Sequence, residues 1–316
     1  YFETDANGVQ LPYLDRIIFK IIPDSNTQTT QLRSGEVGFA YNVPYTSLAT
    51  LRNTPNLEII SAKTLAFRHV TFNLRNEQLA DLAVRQAFAH AIDRTALNRA
   101  LGDYMLPIDT FVVSTFAFSS DDVPTYAYDP ELGRQLLLDA GYTPGRDGIM
   151  EKGGKRLSFD FMTQAGRAEY ETAQQVLIAQ LKAIGIELKP DNKAGAALSE
   201  ARRNGGFDVW YSGWITPADP IDSYVSFYAT GGFNNGGAYS NPDADAALYA
   251  AAGSLDPDEV TAAMHEAQRI VLTDLPSIPL FETPSIVVTT SKLQGFVSNP
   301  TNQTNFRQVA PWWLAK

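Results

Sequence analysis

The stretch Leu157–Lys189, LSFDFMTQAGRAEYETAQQVLIAQLKAIGIELK, decides the fold class. Leu157 to Met162 is apolar-rich and reads as a strand. Tyr170, Ala173, Leu177 and Leu181 then fall on one face of a helix that Gly185 stops, and Ile186 to Lys189 resumes extended chain. After a less regular link, Phe207 to Ser212 supplies a third strand. Strands that alternate with a helix of this length predict an open α/β sheet.

Upstream, Asp129-Pro130 sets a cap before a proline at the first helical position, and Leu132, Leu136 and Ala140 predict an apolar stripe ending at Gly141. Asp81 caps a predicted helix with Val84, Phe88, Ala91 and Ile92 on one face, and Asp93 caps a second, short one. Leu57 to Leu74 reads as one long β-like region. Before it come a strand at Arg16 to Ile22, a capped helix at Asp24 to Leu32 punctuated by Arg33-Ser34-Gly35, and extended chain at Val37 to Val43. Downstream, Asp256-Pro257-Asp258-Glu259 carries a capping box and opens a helix with Val260, Met264, Ala267, Val271 and Leu275 inward; Pro276 and Pro279 end it. Ile286 to Thr290 returns to strand, and Gln294 to Asn305 is polar and irregular.

A chain of 316 residues, 44% of them hydrophobic, can bury one large core or two modest ones, so two lobes are expected. The formal net charge is −10, with no run of five like charges, which argues against nucleic acid and anionic membrane surfaces as partners. The absence of cysteine removes disulfides, thiolate nucleophiles and zinc–sulfur sites together. No apolar stretch approaches the roughly 20 residues that span a bilayer. Tyr1 lies inside a sequence pattern, so the start reads as cut.

Catalytic patterns are missing where an enzyme would carry them. There is no G-x-S-x-G elbow, no H-E-x-x-H, no G-x-G-x-x-G and no P-loop, and the three histidines are His69, His90 and His265. Gly231-Gly232 and Gly236-Gly237 flank Phe233-Asn234-Asn235 as a flexible loop. Asp219 and Asp222 could form a glycosidase-like pair of acids, but any sequence offers many such pairs. Asn302-Gln303-Thr304 matches a glycosylation sequon, a pattern short enough to arise by chance. No cofactor or metal is expected.

Three ordered stretches go beyond general physics: Leu11-Pro12-Tyr13-Leu14-Asp15-Arg16-Ile17; Thr71-Phe72-Asn73 followed by Val84-Arg85-Gln86-Ala87-Phe88-Ala89-His90-Ala91-Ile92-Asp93-Arg94; and Gly237-Ala238-Tyr239-Ser240-Asn241-Pro242-Asp243-Ala244-Asp245. With Gln31 to Val37 and Leu181 to Ile186, they make the chain resemble the C-terminal part of family 5 extracellular solute-binding proteins of ABC importers, the oligopeptide-, dipeptide- and nickel-binding type. The resemblance implies a periplasmic-binding-protein-like α/β fold with two lobes of mixed open sheets. Residues 1–70 and 283–316 would form an incomplete lobe I and residues 71–282 an inserted lobe II, with hinges near Phe67 to Thr71 and Phe281 to Pro284.

The same resemblance implies a non-enzymatic carrier. It would be a periplasmic or extracellular monomer that captures a small solute, peptide-like or opine-like, and delivers it to the membrane subunits of an ABC permease. Trp214, after the strand Phe207 to Ser212, sits where open α/β sheets gather ligands, and Asp219 stands roughly where peptide-binding relatives place an acid for the ligand's ammonium. The loop is longer here, so Asp222 competes for that role. Tyr211 replaces an arginine that receives a peptide carboxylate in some relatives. Thr163, Gln164 and Arg167 follow another strand end and could offer donors or a cation, and Phe281 an apolar wall; each is equally well read as ordinary surface. The alternatives are a hydrolase using Asp219 and Asp222, or a relative that presents ligand to a receptor without transport. With lobe I incomplete, weakened or absent solute binding is expected.

Overall fold

The computed structural model describes residues 2–41, 43–301, 306 and 308–315. The sequon at Asn302-Gln303-Thr304 lies outside the described residues.

In chain order, helix α1 (Ser25–Ser34) starts where the Asp24 carboxylate accepts the Thr27 N–H at 2.7 Å and stops at Gly35, whose φ of 75° only glycine adopts without strain. Strand β1 (Phe39–Tyr41), helix α2 (Tyr45–Arg52) and strands β2 (Leu57–Ala62) and β3 (Ala66–Phe72) follow. Capped helices come next: α3 (Glu77–Ala80), α4 (Leu82–Ala91) behind Asp81, and α5 (Arg94–Ala100) behind Asp93. Strand β4 (Leu106–Pro107) and helix α6 (Pro130–Asp139) precede a small sheet of β5 (Thr143–Pro144), β6 (Met150–Lys152) and β7 (Lys155–Arg156). The segment that decides the fold class supplies β8 (Ser158–Gln164), α7 (Ala168–Ala183), β9 (Glu187–Lys193), α8 (Gly195–Asn204) and β10 (Val209–Ile215). Helices α9 (Ile221–Tyr228), α10 (Pro242–Gly253) and α11 (Pro257–Asp274) lead to β11 (Ser277–Glu282), β12 (Ser285–Thr290), β13 (Leu293–Gln294) and β14 (Trp313–Leu314).

The chain divides into two compact units. One takes the residues up to Leu65, Gly102–Tyr104 and those from Thr283 onward; the other takes Ala66–Leu101 and Met105–Glu282. The first unit holds the sheet β1-β12-β2, all antiparallel, over a core of Leu32, Leu48, Leu51, Ile286 and Val288. The second holds a six-stranded mixed sheet in the order β4-β11-β3-β10-β8-β9, in which β11, β10, β8 and β9 run in one direction and β3 and β4 in the other. This is the mixed α/β architecture that the strand–helix alternation predicts.

Several details depart from the sequence reading. Leu57 to Leu74 is two strands in different sheets, β2 in the first unit and β3 in the second, with the division at Leu65/Ala66. Phe67 to Thr71, expected to hinge, lies within β3 between two hydrogen-bonded neighbours, and Gly102–Tyr104 adds a crossing that the sequence did not suggest. Arg16 to Ile22 forms no strand, because among the described residues it finds no pairing partner. On α6 the buried positions are Gly133 and Leu137, one residue away from the expected stripe; Leu132 is exposed. The run Leu136-Leu137-Leu138 makes the phase ambiguous, and the close approach of Gly133 to the Ala87 carbonyl settles it. Strand β11 was hidden by Pro279, which the sheet accommodates next to a bulge.

The ordered motifs are the scaffold's joints. Asn73 donates from Nδ2 to the carbonyls of Gly205 and Phe207, Leu74 N–H donates to Gly237, and Arg75 donates to Gly236. Tyr239 Oη and Asn241 Nδ2 both donate to the Asp274 carboxylate at 2.7 Å. The buried Arg85 guanidinium donates to the carbonyls of Asp274, Leu275 and Leu79, closing the C-terminal end of α11 where Leu275 turns left-handed at φ 53°.

Candidate functional site

In the six-stranded sheet β8 and β10 are parallel neighbours, so both carboxyl ends lie on one edge. The antiparallel β3 begins there and β11 ends there. Open α/β sheets gather ligands along the carboxyl ends of their parallel strands. This edge carries Gln164 at the end of β8, Arg167 just beyond it, Trp214 near the end of β10, and the loop of residues 216–220 bearing Asp219.

Arg167 is exposed and occupies the N-cap position of α7. Its guanidinium carbon lies 5.0 Å from the centroid of the Tyr170 ring, and that of Arg68 lies 5.1 Å from the same ring. The two cations differ in what they meet. Arg68 donates from Nε and a terminal nitrogen to Glu169 Oε1 at 3.1 and 3.0 Å in a largely buried ion pair. Arg167 makes no ion pair among the described residues, so its charge is held in place by ring stacking and left open to an anion.

Trp214 is half-buried and already engaged. Phe227 of α9 stacks on it at 4.4 Å between centroids, the Arg202 guanidinium sits 5.1 Å from its ring, and Trp210 meets it edge-on. Phe67, His69 and Thr71 of β3 are in register with Trp214, Ser212 and Trp210 of β10, so these side chains share one face of the sheet. His69 stacks parallel to Trp214 at 6.2 Å, and its Nδ1 pairs with Thr71 Oγ1 at 2.7 Å. Burial, with the charge of Arg68 adding to it, pushes the imidazole down to about 3, so it is neutral across the physiological range.

Other expected site residues turn out differently. Tyr211 is fully buried on the opposite face, edge-on to Tyr170, and Phe281 is fully buried, so neither presents a surface to a solute. Thr163 is also buried, its hydroxyl spent on the Tyr211 carbonyl at 3.1 Å. Asp219 and Asp222 are both exposed, Asp222 in the first turn of α9. Sequence reasoning passed over Arg68, His69 and Glu282. The signal was there, since charged residues inside a strand that is otherwise buried, as in Ala66-Phe67-Arg68-His69-Val70, need partners. Glu282, buried at the end of β11, accepts hydrogen bonds from the Ser114 N–H and hydroxyl.

Residues 1–236 match the family model described as bacterial extracellular solute-binding proteins, family 5, middle region. This chain belongs to the family 5 extracellular solute-binding proteins. The oligopeptide-binding protein AppA of Bacillus subtilis is 31% identical over 100% of the chain and 60% of its own length; a glutathione-binding protein, GsiB, of Salmonella paratyphi A is 29% identical over 94% and 58%. The structure of Bacillus subtilis AppA in complex with a nonapeptide superposes with a TM-score of 0.82 at 27% identity, over 94% of this chain and 60% of that one. A substrate-binding protein, CtaP, from Listeria monocytogenes shares the fold with a TM-score of 0.85 at 23% identity, over 98% and 62%. The chain thus spans about 60% of the length of these relatives. No helix is long and apolar enough to cross a membrane, and no group of three or more His, Asp or Glu side chains could hold a metal ion, both among the described residues. These relatives of the family 5 chain are named as binding proteins, not as enzymes.

Proposed function

We propose that this family 5 chain is the solute-binding component of an ABC importer, working outside the cytoplasm and handing a peptide-like or opine-like solute to the membrane permease. The observation that carries the reading is the pairing of opposite charges at one sheet edge. Arg167, stacked and without an acid, offers a cation after β8; Asp219 and Asp222, exposed and without a base, offer anions after β10. A zwitterion with an amine and a carboxylate fits such an edge, the carboxylate at Arg167 and the ammonium at Asp219. Gln164 adds a neutral donor and acceptor, and Trp214 an apolar edge. In this assignment residues 66–101 and 105–282 are lobe II and the remainder belongs to lobe I, and the carrier is a monomer that binds no nucleic acid.

The hydrolase alternative has less behind it. Asp219 and Asp222 hydrogen-bond no nucleophile among the described residues, and the relatives carry binding names. The test is thermal unfolding of the 316-residue chain with a nonapeptide, with glutathione and with an opine, each at millimolar concentration. A rise in Tm with at least one of them, lost in Arg167→Ala and halved or more in Asp219→Asn, supports the reading. A rise that is unchanged in both Arg167→Ala and Asp219→Asn, or turnover abolished by Asp222→Asn, overturns it.

A further inference from the structure

The face of the sheet behind Trp214 contains a group that the solute edge does not use. His69 is buried, its Nδ1 is taken by Thr71, and its Nε2 has no hydrogen-bond partner among the described residues. A neutral imidazole has one donor and one acceptor nitrogen, so whichever tautomer is present the second nitrogen needs a complement. His69 lines a cavity of about 30 Å³ with Thr71, Trp210, Trp214, Tyr228 and Ser277. That is room enough for a buried water and far below what any solute requires. Its walls are polar where they need to be, since Tyr228 Oη and Ser277 Oγ lie 3.2 Å apart and Thr71 is in register with Ser277.

We propose that this cavity is a built hydration site, in which a buried water completes the bonding of His69 Nε2 and thereby makes His69 a positioning residue for the Trp214 ring. The parallel stack of imidazole on indole transmits the constraint, for a histidine locked at both nitrogens cannot rotate away from the indole beside it. Phe227 and Arg202 hold the indole from other directions, so the ring reaches the solute edge with its orientation fixed. This role for His69 rests on the reading of Trp214 as a solute contact; the water site itself does not.

Two measurements on the solute-free chain test it. A crystal structure at high resolution is expected to place an ordered water about 2.8 Å from His69 Nε2; continuous absence of density there overturns the proposal. With 5-fluorotryptophan in place of tryptophan, the Trp214 fluorine resonance, assigned through Trp214→Phe, is expected to be a single sharp line. His69→Phe should broaden or split that line while the Trp312 and Trp313 resonances stay put, and His69→Gln should restore it in part. A Trp214 line unchanged in a folded His69→Phe variant overturns the positioning role. Neither readout involves solute, so failure here leaves the carrier reading standing, and an empty solute screen leaves the water site standing.

Discussion

His69 and Arg85 are the two buried side chains whose chemistry is most exposed to experiment. The folded protein holds His69 neutral down to about 3, whereas the unfolded chain takes up a proton below about 6.5. The unfolded state therefore binds more protons between those values, and the stability present above pH 6.5 is lost as pH falls toward 3. Denaturant titrations should find about 2 kcal/mol missing at pH 5 relative to pH 7, and His69→Gln should flatten that slope; an unchanged slope would mean that another group sets it. Arg85 is burdened by desolvation, which pulls its pKa down against the opposing pull of Asp274, yet it stays a cation because its forked donors meet three backbone carbonyls. Arg85→Met leaves those carbonyls without donors in the interior and should cost about 3 kcal/mol by urea unfolding. Arg85→Lys should recover less than half of the loss, since an ammonium cannot reproduce the fork. A loss below about 1 kcal/mol in Arg85→Met would show that solvent replaces the guanidinium.

At the scale of elements, the chain is held by close backbone approaches that no side chain fills. A Cβ on Gly237 would overlap the carbonyl oxygen of Phe72, and one on Gly236 that of Arg202, so Gly237→Ala should cost about 2 kcal/mol or more and lower soluble yield; a wild-type melting curve would refute the packing described. Helices capped by aspartate were legible in the sequence because their signals are local: Asp24, Asp81, Asp93, Asp129 and Asp256 each accept the backbone N–H bonds that their positions predict. Helices α2, α8 and α9 lack a side-chain cap and were missed, as were α3 and α10 behind Asn76 and Asn241; α7, equally uncapped, was legible from its apolar stripe, and β11 was masked by Pro279. The site was less legible for a similar reason. Arg167 and Asp219 follow strand ends and Trp214 lies in the last residues of β10, positions that a rule can nominate, whereas the burial of Tyr211 and Phe281 and the orphaned nitrogen of His69 depend on which face of a sheet meets which helix. The second and third of the motifs that carry the family resemblance proved to be joints of the scaffold, so they identify the fold and are silent about the solute.

At the scale of the molecule, the feature with the largest physical consequence lies in the first unit. Arg16 to Ile22 is apolar-rich like a buried strand, yet it makes no backbone hydrogen bond among the described residues. Ile18 and Phe19 are each 67% exposed and Ile21 is 93% exposed, along a trough of about 740 Å³ floored by Phe39, Phe306 and Trp312. Backbone left unpaired among the described residues beside apolar surface is a template for pairing, and the Lys20–Glu36 ion pair on this segment, itself half in solvent, is a weak guard against it. The chain should therefore bind 1-anilinonaphthalene-8-sulfonate in the native state and self-associate as its concentration rises through tens of micromolar, against the monomer that the family resemblance implies for the carrier. Ile18→Lys with Ile21→Lys should lower both the dye signal and the sedimentation-velocity shift without moving the melting temperature, because both side chains are largely in water already. A wild-type chain that stays monomeric and dark with the dye would mean that the segment folds onto its own unit in solution and closes the trough from within.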